Sequence, residues 1–462
     1  MLIFYEVKYM SPTTDKKYLV LVLSLYFSLT LIYSLAVPLW ETPDEPSHYL
    51  SVRSFSDGSN FKPPRTSGQI NSVWAEGYLF SLYQCSQPPL YYMLSAPVMK
   101  VLALRVLPLG TGMEFPAVRP DFSGTGNLFI HHRESIWAIP SADIRVHLLR
   151  LFSVFLGGIS IFLIYRIARV VFPNDPVVAL SSSAFAAVLP QFNFITGAIG
   201  NDSLAALMGA ATLLFLVRLA DQNTRPRSRD FLALGVLMTL SLLTKFNLIF
   251  LIPLSLIVIF IKARDAGSWR VVLSGVVFMV LPLLIGLTAA MILFPNDVMI
   301  KYRVMAWRLI RTTPDLTTVE HLQWMLKDIY RSFWATFGWM SIRVGWGLYL
   351  AWGLICLAGA IGWGRVIISR KGMEDGWKRK AGILATAIVL LLIGVIKNNL
   401  LVRQSQGRFL FPVLGAIAVL LSYGLLNLFP DRVRDRAAVV YTTVLITLNL
   451  VSLLLYLIPA SY

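Results

Sequence analysis

The chain has 462 residues, of which 56% are hydrophobic and only 14% charged, and its mean hydropathy is +0.67. That balance excludes a soluble globular enzyme and predicts an all-α integral membrane protein with many spans. The net charge of +17 does not by itself indicate a nucleic-acid partner, because membrane proteins gather Lys and Arg on cytoplasmic loops. Cys85 and Cys356 are far apart, one in a loop and one in an apolar run, so no disulfide is expected. The first apolar run is long and lacks a small-residue cleavage site, so it does not read as a cleaved signal peptide.

A span needs roughly 20 mostly apolar residues. The first lies at 18–39. A mixed, Pro- and Gly-rich region over 40–145 follows. Further apolar runs lie near 147–165, 177–196, 202–219, 231–246, 247–261, 271–294, 345–364, 381–397, 409–429 and 438–458. The pattern predicts about eleven spans, within a range of 11–13, in one polytopic domain over 1–462. The stretch 89–107 is broken by Pro97 and Lys100 and reads as a juxtamembrane or re-entrant helix. The block 231–261 can also be drawn as one kinked span, which would invert everything after it.

With the N-terminus inside, the inner segments hold 21 Lys and Arg, and the short outer connections hold four. That asymmetry predicts a cytoplasmic N-terminus and an extracytoplasmic C-terminus. It also accounts for the basic balance without nucleic acid. The loops 40–145 and 295–344, the turn 197–202 and the connection 397–408 then all face outside.

The chemistry-bearing residues fall on that side. Glu41-Thr-Pro-Asp-Glu-Pro-Ser-His-Tyr49 follows the first span directly. Carboxylates at a bilayer boundary are costly unless solvated, paired or used. Thr42, Pro43 and Glu45 have the spacing of a capping box with Pro at the first helical position. On that helix Asp44 and His48 share a face, and Glu45, Tyr49 and Arg53 form a neighbouring row. One reading is a capped juxtamembrane helix. The other is a general base, Asp44 or Glu45, oriented by its neighbour or by His48.

Gln87-Pro-Pro-Leu-Tyr-Tyr92 reads as a rigid entry into an interfacial helix, with Tyr91 and Tyr92 as anchors or as part of a substrate loop. Asp202 is either a helix cap or a second acid facing the cavity of Asp44. In the second case it would share a divalent ion with Asp44 or position an acceptor hydroxyl. Lys245 either snorkels or meets a phosphate. Arg408, with Arg403 nearby, either touches headgroups or offers a bidentate fork to phosphate. The loop 295–344 is basic and aromatic, which suits a lipid phosphate and a sugar ring as well as plain surface anchoring. His131-His132 reads as an isolated, solvated pair. The sequence shows no His/Cys metal spacing, Gly-rich phosphate loop or Ser-His-Asp order.

These motifs together resemble the polytopic GT-C glycosyltransferases that use polyprenyl-phosphate-linked sugars. The resemblance rests on Pro43-Asp-Glu-Pro46 with His48-Tyr49, Gln87-Pro-Pro-Leu-Tyr-Tyr92 and Arg150-Leu-Phe-Ser-Val. It rests also on Asn201-Asp202, Thr244-Lys245 and Gln406-Gly-Arg-Phe-Leu-Phe-Pro412. It is nearest to the domain-of-unknown-function 2142 family, with protein O-mannosyltransferases and lipid A aminoarabinose transferases further off. Gln87 departs from the His or Lys that many relatives carry there.

The resemblance implies a GT-C bundle with juxtamembrane helices in its long first outer loop. It implies sugar transfer, with inversion, from a polyprenyl-phosphate donor to an envelope glycan, lipid or protein on the outer face of the cell membrane. It makes Asp44 the base, Glu45 and His48 its orienting groups, and Asp202 the second acid, with Mg or Mn as the candidate cofactor. Lys245 and Arg408 then hold the leaving lipid phosphate. Two other readings stand beside it. An envelope polysaccharide polymerase or ligase is disfavoured by the early Asp-Glu motif. A lipid-linked sugar flippase or transporter is disfavoured by the lack of repeated halves and by acids at the surface rather than the midplane.

Overall fold

A computed structural model describes residues 12–57, 87–105, 119, 126–129, 131, 144–222, 225–293, 318–369, 375–401 and 404–462. In chain order the helices begin with α1 (Pro12–Ala36), α2 (Glu45–Asp57), α3 (Leu90–Arg105), α4 (Ile144–Val171), α5 (Pro176–Ala187) and α6 (Pro190–Thr196). There follow α7 (Asn201–Leu219), α8 (Ser228–Leu242), a 3-10 turn (Phe246–Phe250), α9 (Leu251–Ala266), α10 (Trp269–Leu293) and α11 (Val319–Trp334). A small antiparallel pair, β1 (Thr336–Phe337) and β2 (Ile342–Arg343), sets Thr336 opposite Arg343. The chain closes with α12 (Trp346–Ser369), α13 (Asp375–Asn399), a second 3-10 turn (Gly407–Val413), α14 (Leu414–Leu426), α15 (Asp431–Ser452), a π turn (Leu453–Leu457) and α16 (Ile458–Ser461).

Nine stretches among the described residues are helical, long and apolar enough to cross a membrane, and ten are if the α5–α6 pair, bent by 59°, counts as one broken span. The bend follows from Pro190: the residue before a proline is pushed out of the α region, and Leu189 is extended at φ −72°, ψ 115°. The eleventh expected span is the shortest. Near 231–246 the chain forms the 15-residue α8, fewer residues than the roughly 20 of an ordinary span, and it runs from the end that holds Asp221 to the end that holds Asp202. The helix stops because Lys245 leaves it to meet an acid on α7. The chain therefore turns back between α8 and α9, and the 231–261 block is two helices rather than one.

Glycines let the elements that carry the polar residues approach one another. A Cβ on Gly209 of α7 would lie 2.1 Å from the carbonyl oxygen of Pro412, so only glycine admits the second 3-10 turn there. A Cβ on Gly407 would lie 2.1 Å from the amide nitrogen of Phe333 at the end of α11. On the outside of the bundle α10 exposes Leu273, Leu284, Ile285 and Ile292, as a lipid-facing helix does.

The polar groups segregate to the two ends. At one end lie the acidic turn after α1, the start of α7, the α8–α9 turn and the second 3-10 turn. At the other lie the ion pairs Arg434–Asp175, Lys380–Asp221 and Arg379–Asp265, each 2.6 Å.

Candidate active site

Helix α1 ends at Ala36, and the chain turns sharply before α2. Two non-glycine residues in this turn adopt left-handed backbone, Trp40 (φ 77°) and Asp44 (φ 69°). Such residues cost on the order of 1–3 kcal/mol each and persist only where the surroundings over-determine them. Here they do. Trp40 donates its amide to Glu45 Oε2 at 3.0 Å, accepts at its carbonyl from Trp339 Nε1 at 3.0 Å, and packs edge-on against Tyr49. The capping box does not form. Because Asp44 is left-handed, α2 starts at Glu45 rather than Pro43, and Thr42 Oγ1 is buried with no hydrogen-bond partner among the described residues.

Glu45 is instead bound to Arg150 of α4. Arg150 Nε and Nη2 donate to Oε1 and Oε2, both at 2.7 Å, and both side chains are fully buried. Arg150 also donates to the carbonyls of Ser34 (2.6 Å), Val37 (3.0 Å) and Pro38 (3.3 Å), and the Ile199 amide donates to Glu45 Oε1 at 3.1 Å. The pair thus ties the end of α1, the start of α2, α4 and the α6–α7 turn into one knot. Neighbouring Glu41 is a second clamp, accepting from the amides of Leu128 and Phe129 and from His131 Nε2, each at 2.9 Å. His131 is therefore paired rather than isolated and solvated; His132 lies outside the described residues.

Asp44 faces the other way. It is bound by Arg408 Nη2, and Arg408 Nη1 lies 3.3 Å from the Pro43 carbonyl oxygen and 3.4 Å from Asp202 Oδ2. Lys245 donates to Asp202 Oδ1 at 2.5 Å. Two acids and two cations from four separate segments therefore share one buried cluster. Asp202 occupies the second position of α7, whose N-cap is Gly200; its carboxylate goes to the two cations instead of capping the helix. The rings are close as well: Lys245 Nζ and Arg408 Cζ lie 5.6 and 5.8 Å from the Phe409 centroid. Arg408 Nε and Asn201 Oδ1 are buried and lack hydrogen-bond partners among the described residues.

His48 stands beside the cluster. Its Nδ1 meets Tyr92 Oη at 2.8 Å and its ring stacks on Tyr92. Burial holds its pKa down to about 4, so it is neutral at ordinary pH. Tyr91 and Tyr92 are fully buried rather than interfacial anchors. Tyr91 Oη meets Ser153 Oγ at 2.8 Å and accepts from the Gly200 amide at 3.1 Å; it braces the α6–α7 turn. Gln87 accepts from Asn201 Nδ2 at 3.5 Å. Arg403 lies outside the described residues. So does much of the loop 295–344, but Arg331 stacks over Trp346 at 4.3 Å and Arg343 lies 3.8 Å from Asp328.

A divalent ion between Asp44 and Asp202 fits poorly. Both carboxylates are already held by cations, and the Arg408 guanidinium bridges them. No group of three His, Cys, Asp or Glu residues suited to a metal occurs among the described residues.

Sequence reasoning placed Asp44, Asp202, Lys245 and Arg408 on one side of the membrane and set Asp202 toward the cavity of Asp44, but did not pair the acids with the cations. It also missed Glu41 and Asn201 as members of the site. Glu41 carried a signal, an acid at a membrane exit; Asn201 carried none beyond its neighbour.

Fold and ionic cluster together define a polytopic, all-α membrane protein with a buried charged site at one end of its bundle. Residues 145–297 match the family model described as dolichyl-phosphate-mannose-protein mannosyltransferase, a stretch that includes Arg150, Asp202 and Lys245. The Archaeoglobus fulgidus oligosaccharyltransferase, solved with Zn and sulfate, is similar at TM-score 0.50 and 13% identity over 96% of this chain and 53% of that one. ArnT from Cupriavidus metallidurans bound to undecaprenyl phosphate gives 0.45 and 15%, over 91% and 62%. The Saccharomyces cerevisiae Pmt1-Pmt2 complex bound to the sugar donor gives 0.42 and 18%, over 64% and 35%. The chain thus spans about a third to three-fifths of the length of these proteins, and the likeness is one of fold. No curated protein matches the chain.

Proposed function

We propose that the protein transfers a sugar, with inversion, from a polyprenyl-phosphate-linked donor to an envelope acceptor on the outer face of the cell membrane. The observation that carries the reading is the convergence of Asp44, Asp202, Lys245 and Arg408 beside a membrane exit. The description of the matching family model names a lipid-phosphate-linked sugar, which suits this pair of cations. The excess of Lys and Arg on the opposite segments supports an outward-facing site.

In this mechanism Asp44 takes the proton of the acceptor hydroxyl as that oxygen attacks the anomeric carbon. The bond to the lipid phosphate breaks on the opposite side. Arg408 and Lys245 stabilise the phosphate as it gains negative charge, an electrostatic contribution that is often the largest in catalysis. Asp202 keeps Lys245 and Arg408 aimed. Glu45, held by Arg150, does not reach substrate; it fixes the backbone that presents Asp44. Neutral His48, set by Tyr92, lines the acceptor side.

The test is a transfer assay on purified protein in nanodiscs, using a panel of radiolabelled polyprenyl-phosphate sugars with crude envelope as acceptor, with and without EDTA. Asp44-dependent release of lipid phosphate supports the reading. Consumption of no donor by the wild type overturns it and turns attention to lipid translocation in proteoliposomes.

A further inference from the structure

A second polar site lies at the far end of α1, about 32 Å along that helix from the turn that carries Asp44. A cavity of about 670 Å³ opens there between α1 and α4. Its chemistry is mixed. Lys16, Arg166 and Arg169 supply positive charge, and among the described residues Asp15 is the one acid on its wall. Asp15 is 8% exposed; its Oδ2 accepts from Tyr165 Oη at 2.5 Å and lies 3.9 Å from Arg169 Nε, and its Oδ1 is buried with no hydrogen-bond partner among the described residues. A buried carboxylate oxygen without a donor leaves a group unsatisfied that the interior does not tolerate cheaply.

An apolar groove adjoins it. The groove is lined by Tyr18 to Leu25 of α1, Val177 to Ala184 of α5 and Ala438 to Ile446 of α15. The two sites meet at successive residues on both walls, Tyr18 beside Leu19 and Val177 beside Pro176. The groove runs along the helices for about 10 Å, from the polar end toward the bilayer centre.

We propose that this is a phospholipid site that recognises a headgroup carrying both a phosphate and an ammonium with N–H donors, that is, phosphatidylethanolamine. The phosphate faces Lys16, Arg166 and Arg169, the ammonium donates to Asp15 Oδ1, and an acyl chain lies in the groove. The cations alone would select any anionic lipid. The unpartnered acceptor adds the demand for an N–H donor, which phosphatidylcholine lacks and phosphatidylglycerol does not carry as a cation. This site is independent of the transfer reaction proposed above.

The experiment is native mass spectrometry of the detergent-purified full chain, titrated with phosphatidylethanolamine, its N-monomethyl and N,N-dimethyl forms, phosphatidylcholine and phosphatidylglycerol of the same chains. Retention is expected to fall along the methylation series, by about tenfold from first to last, the factor that accompanies one charge-assisted hydrogen bond. Asp15→Asn is expected to flatten that series, and Arg166→Ala with Arg169→Ala to weaken every phospholipid. Equal retention of phosphatidylethanolamine and phosphatidylcholine by the wild type overturns the proposal. So does stronger retention of phosphatidylglycerol, which would mark a plain anionic-lipid surface. The methylation series needs no variant, so a misfolding Asp15→Asn leaves the test intact.

Discussion

Two buried ionic groups sit within a few residues of each other and are built to opposite standards. In the Glu45–Arg150 pair both carboxylate oxygens and all three guanidinium nitrogens are matched, by each other and by backbone groups. In the Asp44–Arg408–Asp202–Lys245 group, Arg408 Nε and the adjacent Asn201 Oδ1 remain unmatched among the described residues. A saturated buried network rigidifies, whereas unmet buried donors and acceptors are costly. Adjacent acids in the sequence thus enter different networks: Glu45 holds the turn through Arg150, and Asp44 meets Arg408.

The largest expected effect is on Asp44→Asn. Loss of a general base lowers turnover by about 10²–10⁴-fold, with donor binding retained and a smaller drop in the melt than for the Glu45 variants, because Arg408 keeps Asp202 as a partner. A variant with wild-type turnover would falsify the role of Asp44 and reduce it to a turn residue.

Glu45→Gln or Arg150→Met is expected to do the reverse, lowering stability by about 3–5 kcal/mol through an uncompensated buried partner. The Glu45→Gln/Arg150→Met double variant should melt higher than either single variant. Should the Glu45 variants keep full stability and lose only turnover, the contrast between the two groups collapses.

Smaller effects are expected from the cations. Arg408→Lys keeps charge but loses the fork that bridges Asp44 and Asp202. It should raise the KM for donor and slow turnover, whereas Lys245→Ala, removing one charge, should weaken donor use at every acceptor concentration. Steady-state kinetics with donor and acceptor varied separately distinguish the two.

The smallest effect is on pH. The folded pKa of His48, about 4, lies below its ordinary 6.5, so the unfolded chain binds the extra proton first as pH falls. Stability is therefore full above about 6.5 and is lost between there and about 4, by up to about 3 kcal/mol at 1.4 kcal/mol per unit. His48→Asn should remove that slope from melts recorded across the window.

Much was legible in the sequence because bilayer physics is severe. Helices must satisfy their own backbone in lipid and need roughly 20 apolar residues to cross, so runs such as 271–294 mark α10 without tertiary information. The Lys and Arg asymmetry likewise grouped the acidic turn, Asp202, Lys245 and Arg408 on one side before any contact was known. What failed was local. The capping-box spacing of Thr42 and Glu45 is a weak preference of about 1 kcal/mol, and Arg150, 105 residues further along, overrides it by drawing Glu45 into an ion pair. The short α8 had an apolar pattern long enough for a span, but the Lys245–Asp202 pair ended the helix early. Composition and hydrophobic runs determined the class and the span positions, because those depend on each segment's own solvation. Which acid is held and which is presented was decided only by tertiary structure, because pairing over a hundred residues apart leaves no periodic trace in a single sequence.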